Sequence, residues 1–169
     1  MTTILITGGS GLVCAHLTKL LLSEGFAVRH LSRSAKPDAP VPTFTWDIEK
    51  GEVDPRAMEN VDHIIHLSGA GIADKRWTKE RMKVLYSSRV DAAALLHREM
   101  GKAKAWPKSF ISASGINYYG TLTSDRIFTE EDQPAHDTLR KVRQAWEGAA
   151  DAWAAQCRVV VLRTSVVLA

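Results

Sequence analysis

Cysteine is scarce: 169 residues hold only Cys14 and Cys157, and neither lies in a CxxC pair or beside clustered histidines. That excludes a disulfide scaffold and offers no zinc or redox spacing, so both read as reduced thiols and no metal site is expected. No run of eighteen apolar residues occurs, which excludes a membrane-spanning helix. The start, Met1-Thr2-Thr3, lacks the basic segment and cleavage site of a secretory signal, which reads as a cytoplasmic protein. Charge of one sign is also in short supply, with 22 Lys and Arg against 19 Asp and Glu. The densest basic run, Lys75 to Lys83, is interrupted by Trp77, Glu80 and Met82 at helical spacing. It reads as a solvated helix face and not as a nucleic-acid surface. There is no repeat, low-complexity segment or linker, so residues 1–169 read as one domain with enough chain to bury a core.

What is present is an alternation of hydrophobic periods. Buried-strand runs change repeatedly into amphipathic helices, the pattern of an α/β fold with a doubly wound parallel sheet. Ile4-Leu5-Ile6 predicts a first strand. Leu12, Val13, Leu17, Leu20 and Leu21 predict the buried face of a helix ending near Gly25. Strands follow at Ala27 to Leu31, at Thr43-Phe44-Thr45 and at Val61 to Leu67, separated by a loop from Ser32 to Pro42. One long helix is expected from Thr78 to about Lys102, then a strand at Ser109-Phe110-Ile111 and a polar loop from Thr121 to Gln133. A last helix runs through Trp146, Ala150 and Trp153, before a final strand at Val159 to Leu162.

The segment Thr7-Gly8-Gly9-Ser10-Gly11 leaves the first strand and opens the first helix. A βα turn there aims backbone N–H groups and the helix dipole at an anion, and glycine lets a phosphate approach the backbone. This is the setting of a Rossmann dinucleotide loop. The third glycine of a GxxGxxG pattern falls at position 14, where the chain has Cys14, small and apolar but bulkier than the pattern requires. An acidic residue at the end of the second strand would bind the ribose 2′-hydroxyl of NAD. His30-Leu31-Ser32-Arg33-Ser34 offers instead a guanidinium and hydroxyls suited to a 2′-phosphate, so NADP(H) is expected over NAD(H). Arg33 also reads as a plain surface charge.

These residues resemble the extended short-chain dehydrogenase/reductases, and within them the atypical epimerase-family branch of NAD-dependent epimerase/dehydratase-like proteins. Beyond the glycine loop, the resemblance runs through Trp46-Asp47, His66-Leu67-Ser68-Gly69-Ala70-Gly71, Arg76-Trp77-Thr78, Ser88-Arg89, Ser112-Ala113-Ser114, Tyr118-Tyr119-Gly120, Trp146-Glu147 and Leu162-Arg163-Thr164. It implies a cofactor site built from Gly8, Gly9, Ser10 and Gly11 with Leu12 and Val13, and from Ser32 and Arg33. Asp47 would sit near the adenine, Ser68, Gly69 and Ala70 along the ribose and pyrophosphate, and Ser112 and Ser114 toward the nicotinamide, with Ile48, Leu67 and Arg89 completing the implied cofactor-binding set. Asp47 reads equally as a strand-end cap.

Better-characterised relatives exchange a proton through a Tyr and a Lys four residues later on one helix. Here the residues four positions beyond Tyr86, Tyr118 and Tyr119 are Val90, Leu122 and Thr123, so that pair is absent. Candidate substitutes are Ser114 with Tyr118 or Tyr119 as proton donor and Glu147 as acid or base. Packing roles for the tyrosines and a structural hydrogen-bonding role for Glu147 stand beside these. His63 and His66 flank a buried strand and read as satisfied core or edge histidines, and Cys157 as core. The chain stops soon after the last strand where relatives continue into a substrate-covering region. That substrate domain is therefore expected to be missing, and the apolar end Val166 to Ala169 is expected to leave an edge for self-association. The expectation is an NADP(H)-binding domain of an atypical short-chain oxidoreductase or epimerase-like protein, with hydride transfer on an unidentified carbonyl or sugar-like small molecule. A non-catalytic NADP(H)-binding module and an inactive truncated fragment are its rivals.

Overall fold

The computed structural model describes residues 1–34, 38–120, 125–136, 140–165 and 167. Parts of the two expected polar loops (35–37 and 121–124) and residues 166, 168 and 169 of the apolar end lie outside the described residues.

Seven strands form one sheet in the order β4-β3-β2-β1-β5-β6-β7. The central strand β1 (Thr3–Thr7) is buried along its whole length and pairs in parallel with β2 (Ala27–Ser32) on one side and β5 (His63–His66) on the other. Beyond β2 lie β3 (Thr43–Asp47), parallel, and the two-residue β4 (Glu52–Val53), antiparallel. Beyond β5 lie β6 (Ser109–Gly115) and β7 (Arg158–Thr164), both parallel. The chain thus fills the sheet outward to one side of β1, then returns to build the other, and the order reverses between β1 and β5.

Alternation along the strands divides the core between two faces. Leu5, Leu31, Ile64 and Phe110 face α3 (Val90–Ala103) and α4 (Arg140–Asp151). Ile4, Ile6, Val28 and Ile65 face α1 (Leu12–Ser23). Leu5 and Ile6 have no exposed surface, and a fully buried aliphatic side chain contributes about 1.5–3 kcal/mol. Trp153 stacks on Phe110 with ring centroids 4.1 Å apart, locking the turn after α4 onto the sheet.

Three sequence expectations are corrected. The helix expected from Thr78 to Lys102 is two helices, α2 (Lys79–Ser87) and α3, broken at Ser88 and Arg89. A continuous helix would pass the Arg89 N–H to the Leu85 carbonyl. That oxygen is taken by the Ser88 hydroxyl and the Arg89 guanidinium, and the Arg89 N–H turns to Tyr86. On α1, Leu12, Val13 and Leu20 are exposed, and the buried face is Cys14 and Thr18 with Leu17 and Leu21 packed beside them. The final helix ends at Asp151, with Trp153 in the following turn, where its N–H meets the Ala150 carbonyl. The short strand β4 and a 3-10 turn at Pro55–Met58, capped by Asp54, carry no period long enough to be read from sequence. Among the described residues no helix is long and apolar enough to cross a membrane, and no group of three or more metal-ligating side chains occurs.

Candidate functional site

A cleft of about 690 Å³ opens at the carboxyl ends of β1, β2, β3 and β5, where the strand order reverses. In doubly wound sheets that crevice is where ligands sit. Its floor is the glycine loop. Gly8 adopts a φ of +80°, and a Cβ there would lie 3.2 Å from the backbone of Leu67 and Ser68, so only glycine lets the first loop nest against the second. Thr7 joins the two: its Oγ1 accepts from the N–H groups of Leu67 and Ser68, each at 3.1 Å. With its lone pairs used, the hydroxyl donates to His66 Nδ1 at 3.0 Å, which leaves the His66 proton on Nε2, facing the Arg89 carbonyl at 3.4 Å. His66 is fully buried, and that desolvation pushes its pKa from 6.5 to about 4, so the imidazole is neutral.

The first turn of α1 has neither a side-chain cap nor an acidic residue, leaving its N–H groups available to an anion at the cleft. Ser68 Oγ is buried without a partner among the described residues, a further donor on the lining. These observations fit a dinucleotide: a cradle that a Cβ would fill, uncapped amides and an orphaned hydroxyl. Of the residues singled out from sequence, Gly8, Ser10, Gly11, Ser32, Arg33, Asp47, Ile48, Leu67, Ser68, Gly69 and Ala70 line the cleft. Leu12 and Val13 are exposed on the first turn of α1, while Ser112 is buried on β6. Gly9 lies against His30 below the loop.

Asp47 accepts the Lys50 N–H at 3.0 Å and pairs with its ammonium at 3.7 Å. The Lys50 N–H holds its carboxyl below the usual range. It is both a strand-end cap and a cleft residue. Arg33 stands exposed at the cleft, and no described carboxylate pairs with it. Arg89 lies under the second loop, donating to the Ala70 carbonyl at 2.9 Å with its guanidinium over the Trp146 ring. Burial pushes its pKa down to about 10, still well into the charged range. Arg89 thus supports the loop from behind.

Arg81 is a cleft residue that the sequence reading missed. The basic run is solvated at Lys79 and Lys83, but Arg81 turns inward, with a side chain 12% exposed. It donates to the Gly71 carbonyl and lies 3.6 Å from Asp74. The available signal was spacing: Arg81, Leu85 and Ser88 fall on one helical face ending in the Ser88-Arg89 motif.

The four candidate catalytic residues meet around Arg163, which the sequence placed in a block of the resemblance but gave no role. Ser114 Oγ donates to Glu147 Oε1 at 2.6 Å. The Arg163 guanidinium grips both Glu147 oxygens, at 3.0 and 2.8 Å, donates to the Tyr119 hydroxyl oxygen at 2.7 Å and lies 3.6 Å from the centre of the Tyr118 ring. Glu147 holds the Arg163 pKa above its ordinary value. The carboxylate comes from α4, the guanidinium from β7 and the phenols from a 3-10 turn at Ile116–Tyr119.

The sheet, its order reversal and the glycine-lined cleft define a Rossmann-type dinucleotide-binding architecture. Residues 4–168 match the family model of the NAD dependent epimerase/dehydratase family, and the chain belongs to that family. It is 33% identical over 165 residues to an epimerase family protein of Mycobacterium leprae, covering 97% of this chain and 52% of that protein. It is 31% identical to the human epimerase family protein SDR39U1, covering 98% of this chain and 54% of the relative. The chain therefore spans about half the length of these curated relatives. A crystal structure of a nucleoside-diphosphate sugar epimerase from Corynebacterium glutamicum superposes with a TM-score of 0.80 at 31% identity, covering 99% of this chain and 34% of that one. The crystal structure of human SDR39U1 with NADPH gives 0.78 at 28%, covering 99% and 55%.

Proposed function

We propose that this chain is the NADP(H)-binding part of an atypical short-chain oxidoreductase or epimerase-like protein of the cytoplasm. The observation that carries the reading is the cleft at the reversal point, where a glycine loop and the uncapped start of α1 share one wall. Gly8 to Gly11 and the α1 amides, with Leu12 and Val13 beside them, would hold the pyrophosphate. Ser32 and Arg33 would take the 2′-phosphate, Asp47 and Ile48 the adenine side, and Leu67 to Ala70 the ribose edge, backed by Arg89. The bound nicotinamide would supply a hydride donor or acceptor. Ser112, Ser114 and the tyrosine pair lie toward the β6 end, where a carbonyl or sugar-like substrate would meet it. The preference for NADP(H) is supported by the unclaimed Arg33 guanidinium and by the NADPH in the human relative's structure.

A second reading, a module that binds the cofactor without turnover, is favoured by one observation. Both Glu147 oxygens and the Tyr119 oxygen are occupied by Arg163, which suits a structural network as well as an acid-base one.

Thermal unfolding with NADPH and NADH tests the proposal. Ligand at about 100 times its dissociation constant adds about 2.7 kcal/mol, a rise of roughly 5–10 °C for a domain this size. The larger rise is expected with NADPH, and Arg33→Ala should abolish that difference. Equal rises would overturn the NADP(H) preference, and no rise with either cofactor would overturn the dinucleotide reading. Oxidation of bound NADPH by carbonyl compounds would favour the catalytic reading over the second.

A further inference from the structure

Beneath the glycine loop lie three buried side chains that the dinucleotide reading leaves without a role: Cys14 and Thr18, one turn apart on α1, and His30 on β2. Thr18 Oγ1 gives its hydrogen to the Cys14 carbonyl at 2.7 Å, so it accepts one from His30 Nε2 at 2.8 Å. Cys14 Sγ lies 3.5 Å from the same nitrogen and 3.8 Å from Thr18 Oγ1. The opposite edge of the imidazole faces the underside of the loop. A Cβ on Gly9 would lie 3.0 Å from His30 Cβ and 3.1 Å from His30 Nδ1, tighter than most side-chain contacts, so one of the two would have to shift. The ring is therefore held between α1 and the loop.

Position 14 is where the motif places a third glycine, which lets the helix close onto the strand. Cys14 instead fills the space between α1 and the sheet, packed with Ile4, Ile6 and Val28, and the imidazole reaches across from β2 to meet it. We infer that Cys14, Thr18 and His30 form a positioning unit that seats the glycine loop, with the thiol at 14 and the imidazole at 30 a matched pair and not two independent departures from the motif. The consequence for binding rests on the dinucleotide reading above. His30 stands three residues before Arg33, so the same ring ties the pyrophosphate loop to the strand end that carries the guanidinium. Returning position 14 to the motif's glycine is then a loss: it opens a void beside His30 and frees the loop to move.

Two measurements test this on the chain as it is. In hydrogen–deuterium exchange without ligand, Thr18→Val keeps the side-chain volume and removes the acceptor for His30. Amides 9–13 should then exchange about tenfold faster relative to those of β5 and β6, whereas Thr18→Ser, which keeps the hydroxyl, should match the unaltered chain. Unchanged loop exchange, or an equal rise throughout the sheet, overturns the inference. In NADPH titrations, Thr18→Val and Cys14→Gly should each weaken binding about five- to tenfold, Thr18→Ser by no more than about twofold, and the Thr18→Val/Cys14→Gly double variant no more than the worse single. Additive losses, or unchanged affinity in both single variants, overturn it as well. If the unaltered chain fails to bind NADPH, the dinucleotide reading falls, and the exchange measurement alone decides whether the unit seats the loop.

Discussion

His66 carries a pH dependence that follows from its burial. Its folded pKa, about 4, lies below its ordinary 6.5, so between those values the unfolded chain takes up a proton that the folded chain refuses. Stability from this group is full above about pH 6.5 and falls as the pH drops toward 4. His66→Asn, which keeps an acceptor for Thr7 and cannot titrate, should flatten denaturation midpoints measured across that window. An unchanged slope would assign it to other groups. At this scale the glycine loop was legible because its chemistry is local, five consecutive residues between a strand and a helix. Arg163 was not, since its partners Glu147 and Tyr119 stand 16 and 44 positions away and only the fold brings them together. Arg81 was hidden differently, by lysines around it that do face water.

Among elements, the junction of α4, β6 and β7 is held by the Arg163–Glu147 pair, whose side chains are only 18% and 13% exposed. Removing one charge from such a pair leaves the other stranded in poor solvent. Glu147→Gln keeps an acceptor for Ser114 but takes the countercharge from Arg163, and should lower unfolding stability by about 3 kcal/mol in urea titration. A loss under about 1 kcal/mol would show a pair screened by water. The strands were readable from apolar runs because a parallel sheet covered on both faces needs them. The helix break at Ser88-Arg89 was not, because it depends on which donor wins the Leu85 carbonyl. Nor was the true inner face of α1, because the sequence offers leucines for a surface where Cys14 and Thr18 are the residues that meet β2.

For the whole molecule, the two sheet edges differ. The β3 side ends in the two-residue antiparallel β4, a short edge with little to offer a neighbour. On the other side, among the described residues, β7 pairs with β6 alone, and nearby Leu162 and Ile116 are 48% and 49% exposed. We propose that this edge supports concentration-dependent self-association, which sedimentation would detect and Leu162→Glu should suppress. A monomer at all concentrations would count against it. The doubly wound architecture was legible as a whole because it is a repeated local pattern, whereas the cleft depends on which loops meet.

The central strand also sets an order of events during synthesis. One flank of β1 is closed early by β2, but the other waits for β5, whose His63 pairs with Ile4. Until residues 63 to 68 leave the ribosome, the Thr7 hydroxyl has no Leu67 or Ser68 amide to receive, and the glycine loop hangs from a half-paired strand. Pairings so distant in sequence form late. A nascent chain halted before that point should therefore present its first βαβ unit to chaperones with an open edge and without an assembled nucleotide cradle.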